Sequence, residues 1–304
     1  MNKGIIKRGI AVVVISTFMF TGCSMLAKSR WVQEATLNMI SPALPDVFDA
    51  ALTLRSGTAA QDGIAGLCLL VAALTEMTPE NYDFLCTASL AFTAYGFLYE
   101  EDDPKKAVEM LRIGQSYGWR ACMLNSDISE AFEEGGYPAV KTAINELDDK
   151  DMVPALMWTA MSWGFSSLLT MSKETMALQY LYLVEAMAFK VYELDRTYFH
   201  GLPELFQMFY AAYLPPMMGG TVEKVEKHYK LAMEVSKGGL LLTDIFYVQH
   251  YLIPYEKHER AIKMLQHVVD VSHDKYPKLA LFNEIAKKKA RYMLANKDKL
   301  LRGY

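Results

Sequence analysis

Cysteine is scarce in this sequence, four residues in 304, and no two of them form a CxxC pair. That leaves no thiolate zinc site and no dithiol redox motif. The six histidines scatter: His250 and His258 are eight apart across Pro254, and His267 and His273 are six apart, neither a metal-ligating spacing. HExxH, GxSxG, P-loop and GxGxxG patterns are all missing, so neither catalysis nor a cofactor is expected. Glu100 to Asp103 is acidic but lacks a calcium-loop pattern, and it is expected to be a solvated turn that ends a helix. A net charge of -4 argues against nucleic-acid binding. Long uncharged runs are few. Ile64 to Thr75 is too short to span a bilayer, and Met152 to Ser172, though long enough, carries Ser162, Ser166, Ser167 and Thr170 and has no basic flanking clusters.

What is present is apolar and helical. Hydrophobic residues make up 52% of the chain and aromatics 12%, ample for a sizeable core. Tyr198 to Gly239 shows the organising pattern. An aromatic helix over Glu204 to Tyr213 runs into Pro215-Pro216-Met217-Met218-Gly219-Gly220, and an amphipathic helix over Thr221 to Lys237 returns, with Val225, Tyr229, Ala232 and Val235 on one face. The prolines stop the first helix, the glycines permit the turn, and Thr221 caps the second with Glu223 and Glu226 near its positive end. So short a linker makes the two helices antiparallel.

The same helix, turn, helix rhythm recurs. Thr78-Pro79-Glu80 reads as a helix start, Asn81 to Tyr99 as an aromatic, alanine-rich helix, and Lys105 to Tyr117 as its return after Glu101-Asp102-Asp103-Pro104. Arg30 to Arg55 reads as helix interrupted near Ser41-Pro42 and Pro45, and Lys173 to Leu194, Leu240 to Tyr251, Glu256 to Asp270 and Lys278 to Leu294 as further helices. Ala107, Ala232 and Ala261 centre segments with the look of the second helix of a tetratricopeptide repeat. The expected fold is therefore all-α, a single domain over 30–304 of stacked antiparallel hairpins that are degenerate tetratricopeptide-like repeats. Met152 to Ser172 should be buried on nearly all sides, as plain core or as the wall of an apolar cavity.

Charge is unevenly placed. Residues 28–153 carry 9 positive and 20 negative side chains, whereas 221–304 carry 16 positive and 10 negative, an asymmetry that suits contact between domains or subunits. Lys287-Lys288-Lys289-Ala290-Arg291 is expected to be a solvated basic helix end.

The N-terminus has its own logic. Lys3, Lys7 and Arg8 precede an apolar run from Gly9 to Phe20, and Thr21-Gly22 leads directly to Cys23, a basic start and short apolar core of secretory type. The segment resembles a bacterial lipoprotein box. That likeness implies a signal peptide over 1–22, lipidation of Cys23, a tether over 23–29 and a periplasmic protein anchored to a membrane, the outer membrane rather than the inner. Two or three acyl chains at about 0.8 kcal/mol per buried methylene anchor stably where one would be marginal. Cys68, Cys86 and Cys122 sit in apolar helical settings and are expected to be buried, inert thiols rather than a disulfide.

Further residues carry a second likeness: Pro154-Ala155-Leu156-Met157-Trp158 with Trp163-Gly164, Tyr198-Phe199-His200-Gly201, Pro215 with Gly219-Gly220, and Glu226-Lys227-His228-Tyr229 with Ala232. In this order, over roughly residues 80 to 290, they resemble the T component of tripartite ATP-independent periplasmic (TRAP) transporters. The resemblance implies a non-catalytic periplasmic lipoprotein with repeat-like hairpins. It implies a homo-oligomer, a trimer by likeness, enclosing a pore that conducts a hydrophobic ligand, with the transporter's solute-binding protein (the P component) as partner. Trp158, Trp163, Phe165, Tyr198 and Phe206 are the candidate residues lining an apolar ligand site or pore. Two other functions fit the same features: an outer-membrane-tethered carrier of lipid or another apolar ligand, and an envelope-assembly scaffold that holds peptide segments.

Overall fold

The computed structural model describes residues 30–43, 53, 57–171, 179–218, 220–272 and 274–300. The leader, Cys23 and the tether lie outside them, as do Gly219, His273, most of 44–56 and the segment 172–178. Among the described residues the protein is helical, with no strand, and no helix is long and apolar enough to cross a membrane.

The chain divides into two compact units, Met1–Pro42 and Ala43–Tyr304. In the first, α1 (Arg30–Ile40) is described, running into a short 3-10 turn at Ser41. The second holds the rest: α2 (Gly57–Met77), α3 (Tyr82–Tyr99), α4 (Pro104–Cys122), α5 (Ser126–Glu146), α6 (Val153–Thr170), α7 (Leu181–Leu194), α8 (Tyr198–Tyr213), α9 (Val222–Ser236), α10 (Leu242–Tyr247), α11 (His258–Asp270), α12 (Ala280–Ala295) and α13 (Lys297–Leu300).

Side-chain caps set most of the boundaries. Thr221 Oγ1 accepts from the Lys224 amide at 3.2 Å and starts α9, and Asp103 Oδ1 accepts from Lys106 at 3.1 Å with Pro104 at the first helical position. The start expected at Thr78 falls three residues later. Asn81 caps α3 by accepting from the Phe84 amide at 3.0 Å, while the Thr78 hydroxyl bonds back to the Leu74 carbonyl at 2.9 Å and closes α2. At the other end of α9, Lys237 and Gly238 take left-handed angles, which end the helix.

The α3/α4 hairpin shows why its helices lie antiparallel and close. A Cβ at Gly96 would meet Leu111, one at Gly114 would meet Thr93 and the Ser89 carbonyl, and one at Gly118 would stand 2.3 Å from Thr159 Oγ1 and 2.7 Å from Ser89 Oγ. Contacts thus descend α3 as they climb α4, and α4 lies against α6 as well. The α8/α9 hairpin forms as the sequence implies, and Gly220 permits it: a Cβ there would fall 1.9 Å from the Leu214 carbonyl oxygen. Ala107, Ala232 and Ala261 are all fully buried.

The three lysines of the basic run near the C-terminus are not solvated as expected, although Arg291 is exposed. In α12, Lys287 and Lys289 are buried, with 2% and 0% of their surface exposed. Lys289 Nζ lies 2.6 Å from both Glu100 Oε2 and Glu101 Oε1, Lys288 reaches the Leu98 carbonyl at 2.7 Å and pairs with Asp102, and Lys287 donates to the Val271 carbonyl. The acidic turn after α3 is therefore not a free solvated turn either. It receives α12, so part of the charge asymmetry is neutralised within the chain.

Candidate functional site

Helix α6 explains its own composition. Its polar residues turn inward upon the helix: Thr159 Oγ1 donates to the Ala155 carbonyl at 2.6 Å, Ser162 to Trp158 at 2.8 Å, Ser166 to Trp163 at 2.9 Å and Thr170 to Ser166 at 2.9 Å. Hydroxyls satisfied in this way can be buried at little cost. The helix is therefore buried nearly all round, and the two alternatives left open by the sequence both hold, on different faces. Trp158, Thr159, Ser162 and Trp163 lie in packed core. The stripe Ala160, Met161, Gly164, Phe165 and Leu168 faces a cavity of about 420 Å³.

Two further helices and one short one complete this chamber. From α7 come Leu181, Tyr182, Val184 and Glu185; from α8 come Leu205, Phe206, Phe209, Tyr210 and Tyr213; α10 adds Phe246. On α8 the spacing is that of a single helical stripe, so one face of the helix serves the chamber. Gly164 lets α6 approach α7, since a Cβ there would lie 3.2 Å from Val184 Cγ1. Among the described lining residues the side chains are apolar except for the tyrosine hydroxyls and one carboxylate. The Tyr210 hydroxyl donates to Glu185 Oε1, and that bond, with burial behind it, raises the Tyr210 phenol to about 12. The proton stays on the tyrosine.

Behind the aromatic wall sits His250. The chain after α10 widens into a π turn over Val248–Leu252 that sets this residue against Phe209, with ring centroids 4.6 Å apart, and near Phe165 and Phe246. Its Nδ1 lies 2.8 Å from the hydroxyl of Tyr213, which also lines the chamber. Burial lowers the His250 pKa to about 4, with Glu100 pulling upward and Lys289 downward, so the ring is neutral. Among the described residues no group of His, Cys, Asp and Glu side chains could hold a metal ion.

Of the candidate lining residues, the structure puts Phe165 and Phe206 at the chamber and the other three elsewhere. Trp158 Nε1 donates to the Tyr198 hydroxyl at 2.9 Å, and Trp158 meets Phe199 edge-on with centroids 4.8 Å apart. Trp163 belongs to a separate aromatic cluster with Trp119, Tyr137 and Tyr180, on centroid distances of 5.7 to 6.0 Å.

The model of the TRAP transporter T-component family matches residues 58–301. The chain belongs to that family. No curated protein matches it significantly. The T components are accessory proteins of a transport system rather than known catalysts, and the residues that carried the likeness prove to be the joints of the helical frame. Phe199, His200 and Gly201 take left-handed angles in succession, which for Phe and His costs about 1 kcal/mol or more each. The surroundings hold them there. Phe199 packs between Trp158 and Phe282, and Gly201, at φ 88°, lies so close to α9 that a Cβ would stand 3.1 Å from Val235 Cβ and 3.2 Å from the Ala232 carbonyl oxygen. Glu204, 2% exposed, ties the corner together by accepting from Arg196 Nε at 3.0 Å and Nη2 at 2.7 Å, with His228 Nδ1 2.7 Å from its other oxygen. These residues thus fix α6, α8, α9 and α12 around one corner, and the chamber opens further along α6 and α8.

The sequence missed Glu185, Tyr210, Tyr213 and His250. The first three were visible only as members of helical stripes; His250 depends on a π turn that no motif announces.

Proposed function

We propose that the protein is a non-catalytic, lipid-anchored accessory of a TRAP transport system that docks the system's solute-binding protein and holds an apolar ligand in the α6–α7–α8 chamber. The observation that carries this reading is the chamber itself. Its volume suits a lipid-sized chain or drug-sized molecule, its walls are apolar and aromatic, and Tyr213 at its edge is 56% exposed, so a ligand has a way in. Phe165 and Phe206 are the lining residues on this reading, with Trp158, Trp163 and Tyr198 shaping the frame behind them. The signal-like N-terminus supports an anchor through Cys23 on the periplasmic face, at the outer membrane rather than the inner, and family likeness supports a homo-oligomer whose pore the ligand traverses.

The test is purification of the form lacking residues 1–23, followed by co-migration with the solute-binding protein of the transporter with which it occurs and mass spectrometry of extracted apolar molecules. The expected result is a complex at micromolar concentration and an apolar molecule bound by the T component. No complex at high micromolar concentration would overturn the docking role, and bound acyl chains without any protein partner would favour a stand-alone lipid carrier.

A further inference from the structure

Among the chamber's described lining residues Glu185 is the only acid, and none is Lys, Arg or His. Its Oε1 accepts the Tyr210 hydroxyl, and Oε2 accepts no hydrogen bond among the described residues. The carboxylate is half-buried in a wall that is otherwise apolar, so a cationic donor reaching it would make a charge-assisted contact. Tyr182, Phe206 and Tyr210 line the same chamber, and the π faces of such rings attract cations. The Tyr182 ring already shows this affinity: Lys141 Nζ lies 5.8 Å from its centroid, although no ion pair joins Lys141 to Glu185. An anionic head entering the chamber would meet Glu185 with no basic side chain among the described lining residues.

We infer that the chamber selects an apolar molecule bearing a cationic amine head, with the chain among Phe165, Leu168 and Phe209 and the head at Glu185 between the rings of Tyr182 and Tyr210. This inference rests on the reading of the chamber as a ligand site and adds the charge class of the ligand.

The full chain is titrated calorimetrically with dodecylamine, dodecanol and dodecanoate, each below its aggregation threshold. Dodecylamine binds about tenfold or more tighter than dodecanoate, with dodecanol between them, as expected for a charge-assisted contact in an apolar site. Glu185→Gln brings the three within about threefold of one another, because an amide keeps the shape and loses the charge. Ala160→Trp, which fills the chamber, abolishes binding of all three; amine binding that survives it is surface adsorption and counts against the proposal. Dodecanoate binding as tightly as dodecylamine overturns the charge preference, as does a preference that survives Glu185→Gln, while the chamber stands in both cases. If none of the three binds, the chamber is not a ligand site and the proposed function falls with it. The comparison within the unsubstituted protein decides the matter alone should Glu185→Gln fail to fold.

Discussion

Replacing Lys289 with Met tests the least expected feature of the fold. The lysine side chain is 1% exposed, and its Nζ lies 2.6 Å from one oxygen of Glu100 and one of Glu101, whose side chains are 15% and 9% exposed. Among the described residues Glu101 Oε2 is buried without a partner, so Lys289 is the main compensation this pair of carboxylates receives there. Methionine fills most of the same volume and removes the charge, leaving two acids facing each other in a dry site. Breaking a buried ion pair from one side costs about 3–5 kcal/mol. For a chain of this size that corresponds to a fall of about 5–8 °C in Tm. The pH dependence has a definite sign. Burial raises the Glu101 pKa above its unfolded value, with Lys289 opposing, so the group's contribution to stability is present below the unfolded pKa and lost as pH rises through the folded one. Without Lys289 the rise is larger. The deficit of Lys289→Met, measured by urea unfolding followed through tryptophan fluorescence, should therefore shrink between about pH 8 and about pH 5. The triple variant Lys289→Met, Glu100→Gln, Glu101→Gln should recover most of the loss, since no uncompensated charge remains. A loss under about 1 kcal/mol at neutral pH, or a deficit that grows on acidification, would refute the claim that this ion cluster is buried as a unit.

Two further expectations concern the frame. Gly201→Ala places a Cβ 3.1 Å from Val235 Cβ at a residue with φ 88°, and should cost about 2–4 kcal/mol in thermal unfolding, a change under about 0.5 kcal/mol counting against the close α8/α9 approach. The thiols of Cys68, Cys86 and Cys122 are free and buried, and burial pushes Cys68 and Cys122 up to about 12 and Cys86 upward as well. A disulfide reagent at about pH 8 should leave all three unlabelled until the protein is unfolded, whereas rapid labelling of the native protein would show an accessible thiolate.

The all-helical class was legible because long apolar stripes at helical spacing, bounded by Thr221, Asp103-Pro104 and Pro215-Pro216, leave little choice of element. The α8/α9 hairpin was legible for the same reason. Other features were hidden by long-range effects. A run such as Lys287-Lys288-Lys289 looks like a solvated surface, and only the return of α12 to the turn after α3 makes it a buried ion cluster, because sequence spacing does not report which charges meet across 188 residues. The chamber was hidden differently. Ala160, Gly164 and Leu168 on α6, or Phe206 and Tyr210 on α8, show the same periodicity whether the facing element is another side chain or empty space. Aromatic weight therefore drew attention to Trp158 and Tyr198, which hydrogen-bond each other, and away from Glu185 and Tyr213.

The most direct measurement of the central claim is the affinity of dodecanol for three proteins side by side: the unsubstituted chain, Ala160→Trp and Trp158→Phe. The account predicts binding to the first, none to the second, and unchanged affinity in the third, with Trp158→Phe paying only in stability by about 1–2 kcal/mol for the lost bond to Tyr198. Binding that survives a filled chamber, or that vanishes with Trp158, would contradict it.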